Sequence, residues 1–206
     1  MHDNLRVPYA TIGGIWGHIL RRVIHVSMIL IPLIYYHVTD NYFHDGVRIE
    51  RIILLITLLV ILLIEALRIK FGLAIIGHRE HERNNISTAC WGLVSIIIIF
   101  LFLSGSEQHA ISYALPLIGG CALGDPWMGE LRMFHVNNKI IIISATIIIA
   151  ALWLLCSYIF HTPWWYALFA APLAVVGEYF KFSWIDDNAT MMLLPLVALL
   201  AVMYVS

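Results

Sequence analysis

The chain reads as an all-α, polytopic transmembrane bundle of about seven spans with its N-terminus in the cytoplasm, forming a single integral membrane domain over residues 1–206. Three observations carry that expectation. Hydrophobic residues make up 61% and charged residues only 12%, against roughly a quarter charged in soluble domains. Mean hydropathy is +0.88, so lipid is the expected solvent for most of the surface. Third, the charges gather at the ends of long apolar runs instead of scattering along them.

Taken in order, the apolar segments cover 23–37, 52–67, 86–103, 110–123, 140–160, 163–177 and 190–205. A helix crossing the hydrocarbon core needs about 20 residues, so several segments must borrow flanking residues at the interface. Before the first, residues 1–20 mix Trp16 and aliphatic residues with polar ones, as expected of an interfacial helix lying on the membrane. No cleavable signal is read there, because Asp3, Arg6, Arg21 and Arg22 precede the first apolar run. The fourth segment is interrupted by Pro116 and Gly119-Gly120, which predicts a broken or re-entrant element.

Lys and Arg set the orientation. With seven spans, ten basic residues fall on one side (Arg6, Arg21, Arg22, Arg68, Lys70, Arg79, Arg83, Arg132, Lys139 and Lys181), and only Arg48 and Arg51 on the other. The richer side is assigned to the cytoplasm. A net charge of −1 excludes a general nucleic-acid footprint, which needs a basic surface. Cys90, Cys121 and Cys156 lie in apolar stretches without C-x-x-C spacing and read as small core residues.

The same cytoplasmic side collects the residues able to do chemistry. Arg21, Arg22 and His25 share one helical face by i,i+3 and i,i+4 spacing and can hold phosphate oxygens; helix anchoring at the headgroups is the competing role. Glu65 and Arg68, also at i,i+3, can form an ion pair, with Glu65 the deeper residue. The loop His78 to Asn85, with Arg79 and Glu82, reads equally well as a solvated charge run, and two histidines without a third ligand support zinc poorly. Gly124-Asp125-Pro126-x-x-Gly129-Glu130 offers backbone that a ligand can approach and an aspartate suited to magnesium, or else a turn with a capping aspartate. Glu178 and Asp186-Asp187-Asn188 flank the last connection. One of those residues can cap the final helix. A cap does not call for two adjacent acids, whose repulsion a bound metal would remove.

In this order the motifs resemble those of the CTP-dependent lipid-alcohol kinases: dolichol kinase, phytol kinase and the fungal-type diacylglycerol kinase. The matching pieces are Arg22-x-x-His25, Glu65-x-x-Arg68, Arg79-x-x-Glu82, Gly124-Asp125, and Glu178 followed by Asp186-Asp187-Asn188 and Pro195. The chain diverges in the nucleotide-binding stretch, where only Gly129 and Lys139 echo the family's glycines and its Lys-Ser/Thr sequence.

The resemblance implies a membrane-embedded kinase that transfers phosphate from a nucleoside triphosphate, CTP favoured, to a polyprenol, phytol or diacylglycerol. It implies magnesium held by Asp125 and Asp187 with Asp186 nearby. Catalytic acids would be Glu65, Glu82, Asp125, Glu178 and Asp187. Arg22, His25, Arg68, Arg79, Gly124, Gly129, Lys139 and Asn188 would bind nucleotide and substrate. The rival readings are another lipid phosphotransferase or cytidylyltransferase-like enzyme, and a non-catalytic lipid-binding or transport protein. Against transport stands the lack of a matching broken helix in a second half.

Overall fold

The computed structural model describes residues 11–42, 47–103, 110–180, 182 and 184–205. Arg6, Lys181 and most of the expected interfacial segment before Gly14 lie outside them or at their edge. The described residues form eight α-helices: α1 Gly14–Ser27, α2 Leu30–Tyr42, α3 Val47–Lys70, α4 Thr88–Leu103, α5 Ala110–Met133, α6 Asn138–Phe160, α7 Tyr166–Tyr179 and α8 Asp187–Val205. A 3-10 turn, Glu80–Arg83, precedes α4. No strand occurs among them; an isolated bridge pairs Thr11 with Arg79.

Three helices are long and apolar enough to cross a membrane, within Ile49–Lys70, Asn138–Phe160 and Asp187–Tyr204. The pair α1–α2, bent by 41°, would make a fourth. The fold therefore gives three or four candidate spans where the sequence predicts seven. The shortfall is physical: α4 and α7, at 16 and 14 residues, reach only about 24 and 21 Å at 1.5 Å per residue, short of a hydrocarbon core of about 30 Å. Helix α5, long enough at 24 residues, carries polar residues from Gly124 to Arg132 and is not among the helices apolar enough to cross. Helix α3 is apolar all round yet largely exposed, including Leu55, Ile56, Leu59, Leu63 and Ile64. Such a surface calls for an apolar environment, as a membrane supplies.

Two expectations about breaks are corrected. The fourth segment is neither broken nor re-entrant: α5 runs unbroken from Ala110 to Met133 through Pro116, Gly119-Gly120 and Pro126. It survives its two prolines because it is packed on many sides, against α1, α2, α4, α6, α7 and α8. The break falls in the first segment instead. Pro32 has no N–H to offer the Met28 carbonyl, and the chain restarts as α2 in whose first turn a proline is tolerated. The core is the contact of α5 with α6 and α8, where Leu117, Ile118, Cys121, Ile149, Met191 and Leu199 are buried.

Candidate functional site

Antiparallel succession brings the ends of α3, α5 and α7 and the starts of α4, α6 and α8 to one end of the bundle. The polar face of α1 packs beside them. On α1, His18, Arg21, Arg22 and His25 repeat at i, i+3, i+4 and i+7. Away from them, Trp16, Ile19 and Val23 are exposed, so one helix carries apolar side chains on its outer face and cations towards the bundle.

That cationic face meets α5. Arg22 donates from Nη1 to Asp125 Oδ2 at 3.3 Å and from Nε to Glu130 Oε1 at 3.1 Å. His18 Nε2 lies 3.2 Å from the same Glu130 oxygen. His25, buried, places Nε2 3.2 Å from the Cys121 carbonyl and 3.6 Å from Asp125 Oδ2. Space for Arg22 comes from Gly129: a Cβ there would sit 2.2 Å from Arg22 Nη2. Gly124 serves packing, since a Cβ there would meet Ile149 at 2.9 Å and Met191 at 3.1 Å. The expected nucleotide-binding glycines are thus spoken for within the fold. The expected Gly124-Asp125 turn is helix interior, with Asp125 held by α1.

Arg21 points the other way. Its Nη1 donates to Glu82 Oε1 and its Nη2 to Thr88 Oγ1, both at 3.2 Å. The His78–Asn85 stretch is therefore more than a solvated charge run, because Glu82 is buried at its centre. The Thr88 hydroxyl lies 2.8 Å from Glu82 Oε1 and 3.1 Å from Asp186 Oδ2. One hydroxyl proton cannot serve both acids at once, so a proton on Asp186 satisfies the arrangement. Burial, and the Asp187 carboxylate beside it, push Asp186 up to about 7. Asp186 Oδ1 accepts from the Asn188 backbone N–H at 3.1 Å, capping α8. Asn188 is buried, its backbone and side-chain oxygens 3.7 and 3.6 Å from Cys121 Sγ.

On the far side of α5, Arg132 Nη1 donates to Glu178 Oε1 at 2.5 Å and its guanidinium lies over the Tyr179 ring. Glu178 has Asp187 and Asp125 as its acidic neighbours. Thus Arg22, His25, Glu82, Asp125, Glu178, Asp186, Asp187 and Asn188, spread over 167 positions of sequence, occupy one polar cluster.

Four expected residues stand apart. Arg68 donates twice to Glu65, from Nε and Nη2 at 2.9 Å each, and also to the Asn85 and Leu73 carbonyls. Glu65 Oε1 also takes the Ser87 backbone N–H. This pair welds the end of α3 to the loop before α4, leaving Glu65 no oxygen free for a substrate proton. Arg79 is exposed and joins the fold through its backbone bridge to Thr11. Lys139 is exposed at the start of α6, where its backbone N–H is capped by Asn137; among the described residues no polar contact ties its ammonium to the cluster.

The expected magnesium set is also rearranged. Among the described residues, no three acid, imidazole or thiol groups stand together as metal ligands. Asp125 Oδ2 is engaged by Arg22 and His25, and Asp186 by Thr88 and the α8 cap. Residues that sequence reasoning passed over complete the network: Thr88, Cys121, Arg132 and His18. Only the two basic ones, by charge, offered a signal.

Glu82 yields a pH prediction. Burial pushes its carboxyl up, but the Thr88 hydrogen bond and the Arg21 guanidinium outweigh this and hold it below the usual range. Its stabilisation is then present above the unfolded-state value of about 4.3 and lost as pH falls through the lower folded-state value. Thermal midpoints in detergent should separate wild type from Glu82→Gln at pH 7. The gap should persist down to the unfolded-state value and narrow progressively as pH falls below it. A gap independent of pH would mean that Glu82 is not held as an anion.

No family model, curated protein or solved structure matches the chain in comparison. The functional reading therefore stands on the motifs and the geometry.

Proposed function

We propose that the chain is a lipid kinase of the membrane, transferring phosphate from a nucleoside triphosphate, CTP favoured, to the hydroxyl of a polyprenol, phytol or diacylglycerol. The observation that carries this reading is that residues of four of the five motifs, Arg22 and His25, Glu82, Asp125, and Glu178 with Asp186-Asp187-Asn188, meet in one polar cluster at a single end of an apolar bundle. In a seven-span arrangement, the ten-to-two division of Lys and Arg supports a cytoplasmic position for that end and for the N-terminus. Spans formed by α4 and α7 would draw on their flanking turns.

Phosphoryl transfer asks chiefly for positioning and charge stabilisation. Arg21 and Arg22 present guanidiniums 3.1–3.3 Å from carboxylates that phosphate oxygens could replace. The Thr88 hydroxyl between Glu82 and Asp186 marks where an alcohol meets two carboxylates. A lipid hydroxyl held there would attack the γ-phosphorus while the bond to the β-phosphate oxygen breaks. Its proton would pass to the Glu82 carboxylate, and the nucleoside diphosphate would leave. Asp187 and its neighbouring acids are the residues able to hold magnesium, which needs only one or two protein carboxylates when phosphates supply the other ligands. Bound there, the ion would neutralise charge on the triphosphate. The hydrocarbon tail would leave sideways between helices, as an apolar surface permits.

Purified protein with magnesium and labelled CTP or ATP should phosphorylate at least one alcohol from a panel of polyprenol, phytol and diacylglycerol, faster with CTP. No labelled lipid with either donor would overturn the kinase reading.

A further inference from the structure

We propose that the cleft between α2 and α3, at the end of the bundle opposite the polar cluster, binds one long-chain amine with its ammonium on Glu50. The site is separate from phosphoryl transfer and does not depend on it. Its shape, its depth and the direction of its hydrogen bonds all point to that ligand.

Helix α3 packs on α4, and α2 packs on α5, which leaves a cleft between α2 and α3 over α4. It has a volume of about 540 Å³, within the roughly 300–1,000 Å³ of small-molecule sites. Ile34 and Val38 of α2 and Ile53 and Ile61 of α3 form its walls, over a floor of Ile96 and Ile97 from α4. Ile34, Val38 and Ile53 are exposed, so the cleft opens sideways, where a lipid can enter from the bilayer.

Depth fits a single leaflet. The cleft follows α3 from Glu50 to Ile61, a rise of about 16 Å at 1.5 Å per residue. That is about half of a hydrocarbon core of about 30 Å. Glu50 stands at the outer end of the apolar span that begins at Ile49. A lipid in register with the bilayer would therefore set its head at Glu50 and lay its chain along Ile53 to Ile61.

The polar side chains lining the cleft are Tyr35, Thr39, Glu50 and Thr57, and the three hydroxyl protons are committed. Tyr35 donates to Glu50 Oε1, Thr39 to the Tyr36 carbonyl at 3.2 Å, and Thr57 to the Ile53 carbonyl at 2.8 Å. The Tyr35 ring is stacked on Phe100 with centroids 4.0 Å apart, which fixes the phenol at Glu50. What the cleft offers a lipid head is therefore lone pairs and a carboxylate. A carboxylate or phosphate head would bring a second anion to Glu50. A hydroxyl would bring one donor and no charge. A primary ammonium brings three donors and the opposite charge, in a site partly shielded from water, where such pairing is strengthened.

The test is native mass spectrometry of the full chain in a non-ionic detergent with equimolar hexadecylamine, hexadecanol and palmitate, three heads on one chain length. Wild type should retain one hexadecylamine per chain, in preference to the alcohol and the acid. Glu50→Gln keeps an acceptor for Tyr35 and removes the charge. Amine retention should then fall at least about tenfold, a lower bound for a shielded charge pair that loses one partner. Thr57→Trp, at an exposed position on the cleft wall, should fill the cleft and reduce retention as much. Leu59→Trp, also exposed on α3 but outside the cleft, should bind as wild type does. Retention led by the alcohol or the acid, equal retention of all three, or retention of none would overturn the proposal, because the cleft would then be ordinary lipid-facing surface. Unchanged amine retention in Glu50→Gln would remove the head contact, and in Thr57→Trp the cleft itself; either result overturns the site.

Discussion

Gly177→Ala is expected to be the most damaging small substitution in the described fold. The added carbon would fall within 2.6–2.8 Å of Thr190 and Met191 backbone atoms, and a helix backbone cannot turn aside as a flexible side-chain end does. Either α7 retreats from α8, breaking the Thr190 bridge, or the first turn of α8 unwinds. Overpacking in a tight core costs about 1–3 kcal/mol, and a backbone obstacle belongs at or above the upper end. For a chain of this size that is a drop of roughly 6–12 °C in thermal midpoint, measured in detergent. Glu178 and Asp187 sit on the displaced elements, so any lipid phosphorylation should be lost at temperatures where the variant is still folded. Gly124→Ala is the comparison: its obstacles are the side-chain ends of Ile149 and Met191, which can shift, so the loss should be smaller. Equal losses would mean that the α7–α8 contact has no special rigidity.

The sequence made some of this legible for a physical reason. A charged residue inside or beside an apolar run is expensive in lipid, so each one marks a place where the fold must supply a partner. Arg22, Glu82, Asp125, Glu178 and Asp187 were readable in that way. Their grouping on one side followed from counting segments. Partner choice was readable only where spacing was local, as for Glu65 with Arg68 at i,i+3. Nothing local in sequence says that Ser87 also takes Glu65, or that Glu82 opens towards Arg21 and Thr88. Uncharged members of the network, Thr88 and Cys121, carry no such mark, because a hydroxyl or thiol in an apolar run also fits ordinary core. Helix continuity was misread at α5 because prolines and glycines were weighed locally. Packing by six neighbouring helices overrides that preference, and Gly129 turned out to make room for a guanidinium. The bend between α1 and α2 escaped notice for the opposite reason: Pro32 sits in an unbroken apolar stretch, where hydropathy continues although the hydrogen-bond ladder cannot.

Arg22 is the cation on which the α1–α5 side of the cluster depends, and Arg22→Met should show two separable effects. With side chains 21% and 15% exposed, the Arg22–Asp125 pair lies between a surface bridge, worth about 0–1 kcal/mol, and a buried one, whose breaking costs about 3–5 kcal/mol. Removing the arginine leaves Asp125 and Glu130 facing each other without their shared donor, and a loss of about 2 kcal/mol is expected. Lipid phosphorylation should fall by at least about a hundredfold, as when a single charge-stabilising donor is removed from other transition states. Asp125→Asn added to Arg22→Met should restore much of the stability, because the unpaired charge is then gone. It should restore no activity, since the guanidinium is still missing. Gly129→Ala approaches the same question without altering any charge: its methyl carbon would take the position 2.2 Å from Arg22 Nη2 and push the guanidinium off Asp125. If Arg22 acts on phosphate, Gly129→Ala should lose activity with a stability loss smaller than that of Arg22→Met. If both variants phosphorylate lipid at the wild-type rate, the α1 face is an anchor and the phosphate site lies elsewhere in the cluster.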